Sequence, residues 1–297
     1  LVRADHCGPT GAEIVAEWTR PDTAFFTECT MTDDAFAEMK KSQREMWASF
    51  APAALYTIPV AARLVKFAGV MGGETLLDVG TGTGVVALTA AGAGARVSAL
   101  DLTPELLEQA RQNARIALRD DIAWTEGDAE QLPYPDASFD VVLSQFGHMF
   151  APRPERALAE MRRVLKPGGR IAFATWPPEH FIGRMFAFVA RNSPPPPPGA
   201  APPSQWGSPT IVAERLATGF EPPFFERATM RVPSLSLHHF RAFMERSVGP
   251  MQKLVERLAA DPGKLAAVRA EFTALAAPYY VENEIHQSYL LTRARMR

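Results

Sequence analysis

The nine residues Leu76-Leu77-Asp78-Val79-Gly80-Thr81-Gly82-Thr83-Gly84 constrain this chain more than any others. Residues 75–79 have the length and apolar content of a short buried strand. Three glycines follow at every second position, and Val85-Val86-Ala87-Leu88 then runs on without a breaker until Gly92. A strand, a glycine turn and a helix in that order open a βαβ unit. Glycine suits the turn because a backbone without Cβ can bend tightly and let a ligand approach it.

The alternation continues downstream. Strands are expected at 96–100 (ending in Asp101), 121–125, 139–144 and 170–176. A helix is expected after Thr103-Pro104, with Thr103 as its N-cap and Glu105 in its first turn. Another is expected over 154–165, stopped by Pro167-Gly168-Gly169. Such a pattern gives an α/β fold with a mainly parallel sheet and helices on both faces. Ligands of these sheets bind at the carboxyl ends of the strands. Acids stand at three such ends here: Asp78, Asp101, and the Glu126-Gly127-Asp128-Ala129 run. The fourth strand ends in Ser144-Gln145-Phe146-Gly147-His148.

Two readings of the turn compete. Gly82-x-Gly84-x-x-Ala87 fits a dinucleotide fingerprint, and Asp101 lies about 20 residues on, where a ribose-binding acid is expected. That reading would make the chain an NAD(P)-binding oxidoreductase. The other uses Asp78 with Gly80-x-Gly82-x-Gly84. Residues 76–176 resemble the methyltransferase type 11 domain of class I S-adenosylmethionine-dependent methyltransferases, through LLDVGTGTG, ALDLTPELLEQAR, EGDAEQLPYPDASFDVVLS and MRRVLKPGGRIAFATW. No Tyr-x-x-x-Lys dyad of short-chain dehydrogenases occurs, which leaves the dinucleotide reading a distant alternative.

The resemblance implies a Rossmann-like, seven-stranded, mostly parallel sheet with an antiparallel last strand and a helical cap or insert. It implies S-adenosyl-L-methionine as cofactor. Gly80, Gly82 and Gly84 would line its methionine part, with Asp78 near the ammonium. Asp101 would bind the ribose, Leu102 would lie against the adenine, and Asp128 and Ala129 would hold the adenine edge. Gln145 and His148 would lie near the sulfonium and the acceptor. If a general base is needed, His148 is the first candidate and Tyr56 the second. A protein of the same fold that binds the cofactor without methylating, or for regulation, is the alternative function.

Composition narrows the acceptor. A net charge of −2 offers no basic footprint for nucleic acid. The Asp/Asn/Ser-Pro-Pro-Tyr/Phe run of many nucleic-acid and protein methylases is absent after the fourth strand. A small-molecule acceptor is therefore expected. Cys7 and Cys29 cannot build a disulfide framework, and no zinc-type Cys or His cluster occurs, so no metal is expected. The apolar stretch 51–71 is interrupted by Pro59, Arg63 and Lys66, so no membrane partner is expected. With no leader pattern at residue 1, a cytoplasmic location is expected.

The chain divides as follows. Residues 1–30 read as an N-terminal extension, non-native or disordered, with Met31 as the natural start and Thr32 capping a helix; a genuine arm over the site is the alternative. Residues 31–74 hold N-terminal helices that contribute to the acceptor pocket. Residues 75–192 form the cofactor-binding core. Residues 193–209 are a proline-rich connector. Residues 210–297 hold the last strands, expected at 224–232 and 284–295, and a helical insert at 238–280. Segments 31–56 and 238–280 are expected to roof the acceptor.

Overall fold

A computed structural model describes the backbone of residues 23–297 and the side chains from residue 35 onward. Among the described residues there are eight strands, β1 (Thr75–Val79), β2 (Arg96–Asp101), β3 (Ala123–Glu126), β4 (Phe139–Gln145), β5 (Leu165–Thr175), β6 (Phe224–Pro233), β7 (Tyr280–Val281) and β8 (Glu284–Arg295). They form one sheet in the order β3-β2-β1-β4-β5-β8-β6, with the two-residue β7 pairing β8 off that path. The first five strands are parallel, and β8 runs antiparallel between β5 and β6. The expected seven-stranded sheet is present, with β7 added.

Burial follows from this order. Four of the five residues of β1 are buried, as befits a central strand covered on both faces. The edge strand β6 instead alternates buried Ala228, Met230 and Val232 with exposed neighbours, because one face meets water. Helix α1 (Thr23–Trp47), the short α2 (Ala51–Ala54) and α3 (Ile58–Ala68) precede the sheet. Gly69 closes α3 in the left-handed conformation, with φ 65°. Helices α4 (Val85–Gly92), α5 (Pro104–Ile116), α6 (Pro154–Arg163) and α7 (Phe181–Arg191) make the crossovers, and α8 (Pro209–Leu216) leads toward β6. The insert before β8 is three helices, α9 (Leu237–Ser247), α10 (Gly249–Leu258) and α11 (Pro262–Ala276).

Four expectations change. Helix α1 begins at Thr23, so the boundary at residue 30/31 and the expected helix start at Thr32 both fall inside a helix. The part of the 1–30 extension before residue 23 lies outside the described residues. Thr103 precedes α5 but makes no side-chain cap; its own N–H is bound by Asp101 instead. Leu165 opens β5 rather than ending α6, because it pairs with Phe139 across a register shift in the neighbouring strand. The insert is not all roof: Phe272 of α11 packs on Phe181 and Phe188 of α7, which makes that helix part of the core. Among the described residues, no single helix is long and apolar enough to cross a membrane.

Candidate functional site

The strand order reverses between β1 and β4, and a cleft opens at their carboxyl ends. It encloses about 1510 Å³, including solvent at its mouth. The three glycines of the turn do different things there. A Cβ on Gly80 would stand 2.7 Å from Gly147 Cα, so Gly80 lets the turns after β1 and β4 pass each other. A Cβ on Gly84 would meet the Trp124 ring at 2.8 Å, and Gly84 is not among the cleft-lining residues. Its expected place along the ligand is therefore corrected: at the N-terminus of α4 it leaves room for the Trp124 ring of β3 and for Ala110 of α5. Gly82 lines the cleft with φ +56°, and a Cβ there would have no protein atom within 4 Å. It faces open space that a ligand can enter.

Asp78 is fully buried at the end of β1. Its Oδ2 accepts the Thr81 hydroxyl at 2.6 Å, while Oδ1 has no hydrogen-bond partner among the described residues. Burial pushes its carboxyl up to about 7, against the pull of the Thr81 hydrogen bond. A cationic group in the cleft would supply the missing partner. Asp101 holds the turn from the next strand, its Oδ2 accepting Gly82 N–H at 2.7 Å and its Oδ1 accepting Thr103 N–H at 2.9 Å. Burial raises its pKa as well. A carboxylate has about four acceptor positions, so Asp101 retains capacity for a ligand hydroxyl. Leu102, Asp128 and Ala129 complete this end of the cleft.

The sequence reading missed what lies over Asp128. Lys40 of α1 reaches Asp128 Oδ2 and Glu130 Oε2, each at 2.6 Å. Glu130, 1% exposed in its side chain, also accepts from the Arg153 backbone N–H at 2.7 Å and from its Nε at 2.8 Å. Arg44 adds a pair with Glu126 at 2.7 Å. The Lys40 contacts span 88 and 90 residues of sequence, and no local pattern encodes them. They fasten α1 across the cleft.

At the end of β4, Gln145 donates to the Thr57 carbonyl at 3.3 Å and leaves Oε1 buried without a partner among the described residues. Phe146 adopts φ 61°, rare for a residue with a Cβ, and stacks on Trp176 with centroids 3.9 Å apart at 8°. Both rings line the cleft. His148 does not. It is 1% exposed, packed between Phe173 and Trp206, and neither ring nitrogen has a partner among the described residues. Burial drives its pKa to about 3. The structure thus removes His148 from the candidate bases: a neutral, enclosed imidazole cannot reach a substrate. Tyr56 lies in the cleft wall, edge-on to Phe243 at 5.4 Å.

The far half of the cleft is apolar. Trp47 of α1, Phe50, Phe150, Met185 and Phe186 of α7, and Phe243 and Met244 of α9 surround it. Gln287 of β8 also lines the cleft and was not anticipated. A signal for it existed: Ile285, Gln287, Tyr289 and Leu291 share one strand face, and all four are buried. Among the described residues no cluster of His, Cys, Asp or Glu could hold a metal.

Comparison with known proteins places this geometry. A family model described as a methyltransferase domain matches residues 77–173. An uncharacterised protein of Mycobacterium tuberculosis is 35% identical over 263 residues, covering 86% of this chain and 94% of that protein. A demethylmenaquinone methyltransferase of Deinococcus radiodurans is 39% identical over 162 residues, 49% of this chain and 67% of its own length. In fold, the chain is similar to the YcgJ protein of Bacillus subtilis, with a TM-score of 0.54 and 18% identity over 80% of this chain and 97% of that one. It is also similar to a phosphoethanolamine N-methyltransferase of Haemonchus contortus solved with S-adenosyl-L-methionine, with a TM-score of 0.51 and 17% identity over 80% and 52%.

Proposed function

This chain belongs to the class I S-adenosylmethionine-dependent methyltransferases, and from that premise we propose that it methylates a small, largely apolar acceptor held beneath α1 and α9. The observation that carries the reading is the division of the cleft. Its β1–β3 end presents acids and an open glycine turn, and its other end presents aromatic and Met side chains. Small-molecule sites commonly combine an apolar wall with a few placed polar groups.

The residues present fit the cofactor. Asp78 Oδ1, buried and unpartnered, would take the ammonium of the methionine tail. The open face of Gly82 would receive that tail, with Gly80 beside it. Asp101 would accept from the ribose, Leu102 would cover the adenine, and Asp128 and Ala129 would meet its edge. Gln145 would stand near the reacting end. When bound, S-adenosylmethionine supplies an activated methyl group on a sulfonium.

The chain's own part is mainly to position. Holding two reactants in attack geometry contributes up to about 7–11 kcal/mol toward a barrier. Asp101 fixes the turn, and the Lys40 contacts hold α1 over the cleft. The aromatic roof excludes water from the reacting end. Tyr56 is the candidate to take a proton if the acceptor must lose one. The apolar end also agrees with the kind of acceptor named for the Deinococcus radiodurans relative.

The test is transfer of a labelled methyl group from S-adenosylmethionine to phenols, quinols, amines and thiols of graded polarity. S-adenosylhomocysteine should accumulate with apolar acceptors. Turnover only with strongly polar or macromolecular acceptors would contradict the proposal.

A further inference from the structure

Gln287 is a polar residue in an apolar wall. It is 4% exposed, sits opposite Met230 in the β6–β8 ladder, and lines the cleft together with Met230 and Val232. Its side-chain amide has no hydrogen-bond partner among the described residues. Gln145 lines the same cleft with a buried, unpartnered Oε1. A buried polar atom without a partner destabilises a fold, and an apolar residue of similar size would not. The free Oε1 of Gln145 on β4, whose amide N–H already donates to Thr57, and the unbonded amide of Gln287 facing the same cleft from β8 are better explained by a ligand that completes them.

The chemistry of that ligand follows from the groups around them. An amide is neutral and both donates and accepts, so it suits a hydroxyl and cannot neutralise an ammonium or carboxylate. Among the described residues, the charged side chains lining the cleft are Lys40, Asp78, Asp101 and Asp128, and all belong to the end assigned above to the cofactor. Lys40 is already held by Asp128 and Glu130. The Phe146–Trp176 stack offers a flat aromatic wall in the same cleft. We propose that Gln287, with Gln145, selects an uncharged aromatic acceptor by hydrogen-bonding its hydroxyl oxygen, as in a phenol or hydroquinone. This specificity rests on reading the cleft as a methyl-transfer site.

The experiment uses four probes on one ring system, 1-naphthol, 1-methylnaphthalene, 1-naphthoate and 1-naphthylmethylamine. Their binding to the full chain is measured by tryptophan fluorescence with S-adenosylhomocysteine present. Wild-type protein should bind 1-naphthol at least about tenfold more tightly than either charged probe. Gln287→Leu should weaken 1-naphthol by about five- to thirtyfold and leave 1-methylnaphthalene within about twofold. Gln287→Met, closer in shape, should repeat the result if the leucine variant folds poorly. Charged probes that bind as tightly as 1-naphthol, or variants that affect 1-naphthol and 1-methylnaphthalene alike, would overturn the assignment. S-adenosylhomocysteine binding is measured first and separately. Its failure with wild-type protein would overturn the methyl-transfer reading and this inference with it, whereas its success with unselective naphthalene binding overturns this inference alone.

Discussion

Gly82→Val and Gly84→Ala should separate ligand space from fold stability within five residues of sequence. Both glycines have positive φ, +56° and +84°. A side chain in that conformation costs about 1–2 kcal/mol at either position. The difference lies in what the new atoms meet. At Gly84 a Cβ would be 2.8 Å from Trp124 and 3.2 Å from Ala110 Cβ. Overpacking of this kind adds about 1–3 kcal/mol, so Gly84→Ala should lose about 2–5 kcal/mol in all. That is a large share of the roughly 5–15 kcal/mol that stabilises a typical domain. At Gly82 an added Cβ has no protein atom within 4 Å, so Gly82→Val should lose mainly the backbone term. Its side chain would occupy space assigned to the cofactor, and S-adenosylhomocysteine affinity should fall at least about 100-fold, or ~2.7 kcal/mol. Urea denaturation and titration calorimetry on the two variants measure both quantities. Wild-type affinity in a folded Gly82→Val protein would refute the idea that the cofactor crosses this turn. A Gly84→Ala protein of unchanged stability that has lost cofactor binding would instead refute the packing role of Gly84.

Further outcomes follow from the acids, the α1 contacts and His148. Asp78 has its carboxyl raised to about 7, so the stability its neutral form contributes is complete below the ordinary carboxylate range and is lost as pH rises through about 7. Ligand-free protein should therefore lose stability over that range, while affinity for the ammonium-bearing S-adenosylhomocysteine rises; Asp78→Asn should flatten both curves in melting and calorimetry. Lys40→Met removes two contacts of 2.6 Å to carboxylates and should destabilise the protein by about 1–3 kcal/mol, read by urea denaturation, with faster cofactor release in stopped-flow fluorescence. His148→Leu should leave S-adenosylhomocysteine affinity within about threefold and the pH–rate profile unchanged, because the imidazole is enclosed and its pKa stands at about 3.

The sequence was most informative where local chemistry decides structure. Residues 75–79 and 284–295 are the strands β1 and β8 with the same limits, since each is a β-rich run bounded by turn residues. Asp78, Asp101 and Asp128 share one cleft because parallel strands bring their carboxyl ends to one edge. Less legible was anything set by which way a side chain points. His148 follows the strand end as closely as Gln145 does, yet the 3₁₀ turn at His148–Phe150 carries it into the core between Phe173 and Trp206. Gly84 looked like its two partners in the turn until Trp124, forty residues later, occupied the space beside it. The Lys40–Glu130–Arg153 network joins three separate segments and leaves no mark on any one of them. Gln287 is the intermediate case, visible as a polar residue on the apolar face of a strand but without meaning until the cleft is located.

A crystal structure of the protein with S-adenosylhomocysteine would decide where and in which direction the cofactor lies. It should show the amino-acid tail on the open face of Gly82 with its ammonium at Asp78 Oδ1, the ribose at Asp101, and the adenine between Leu102 and the Asp128–Ala129 turn. The sulfur should face the apolar half of the cleft lined by Gln145 and Gln287. A ligand bound in the reverse orientation, or outside this cleft, would contradict it.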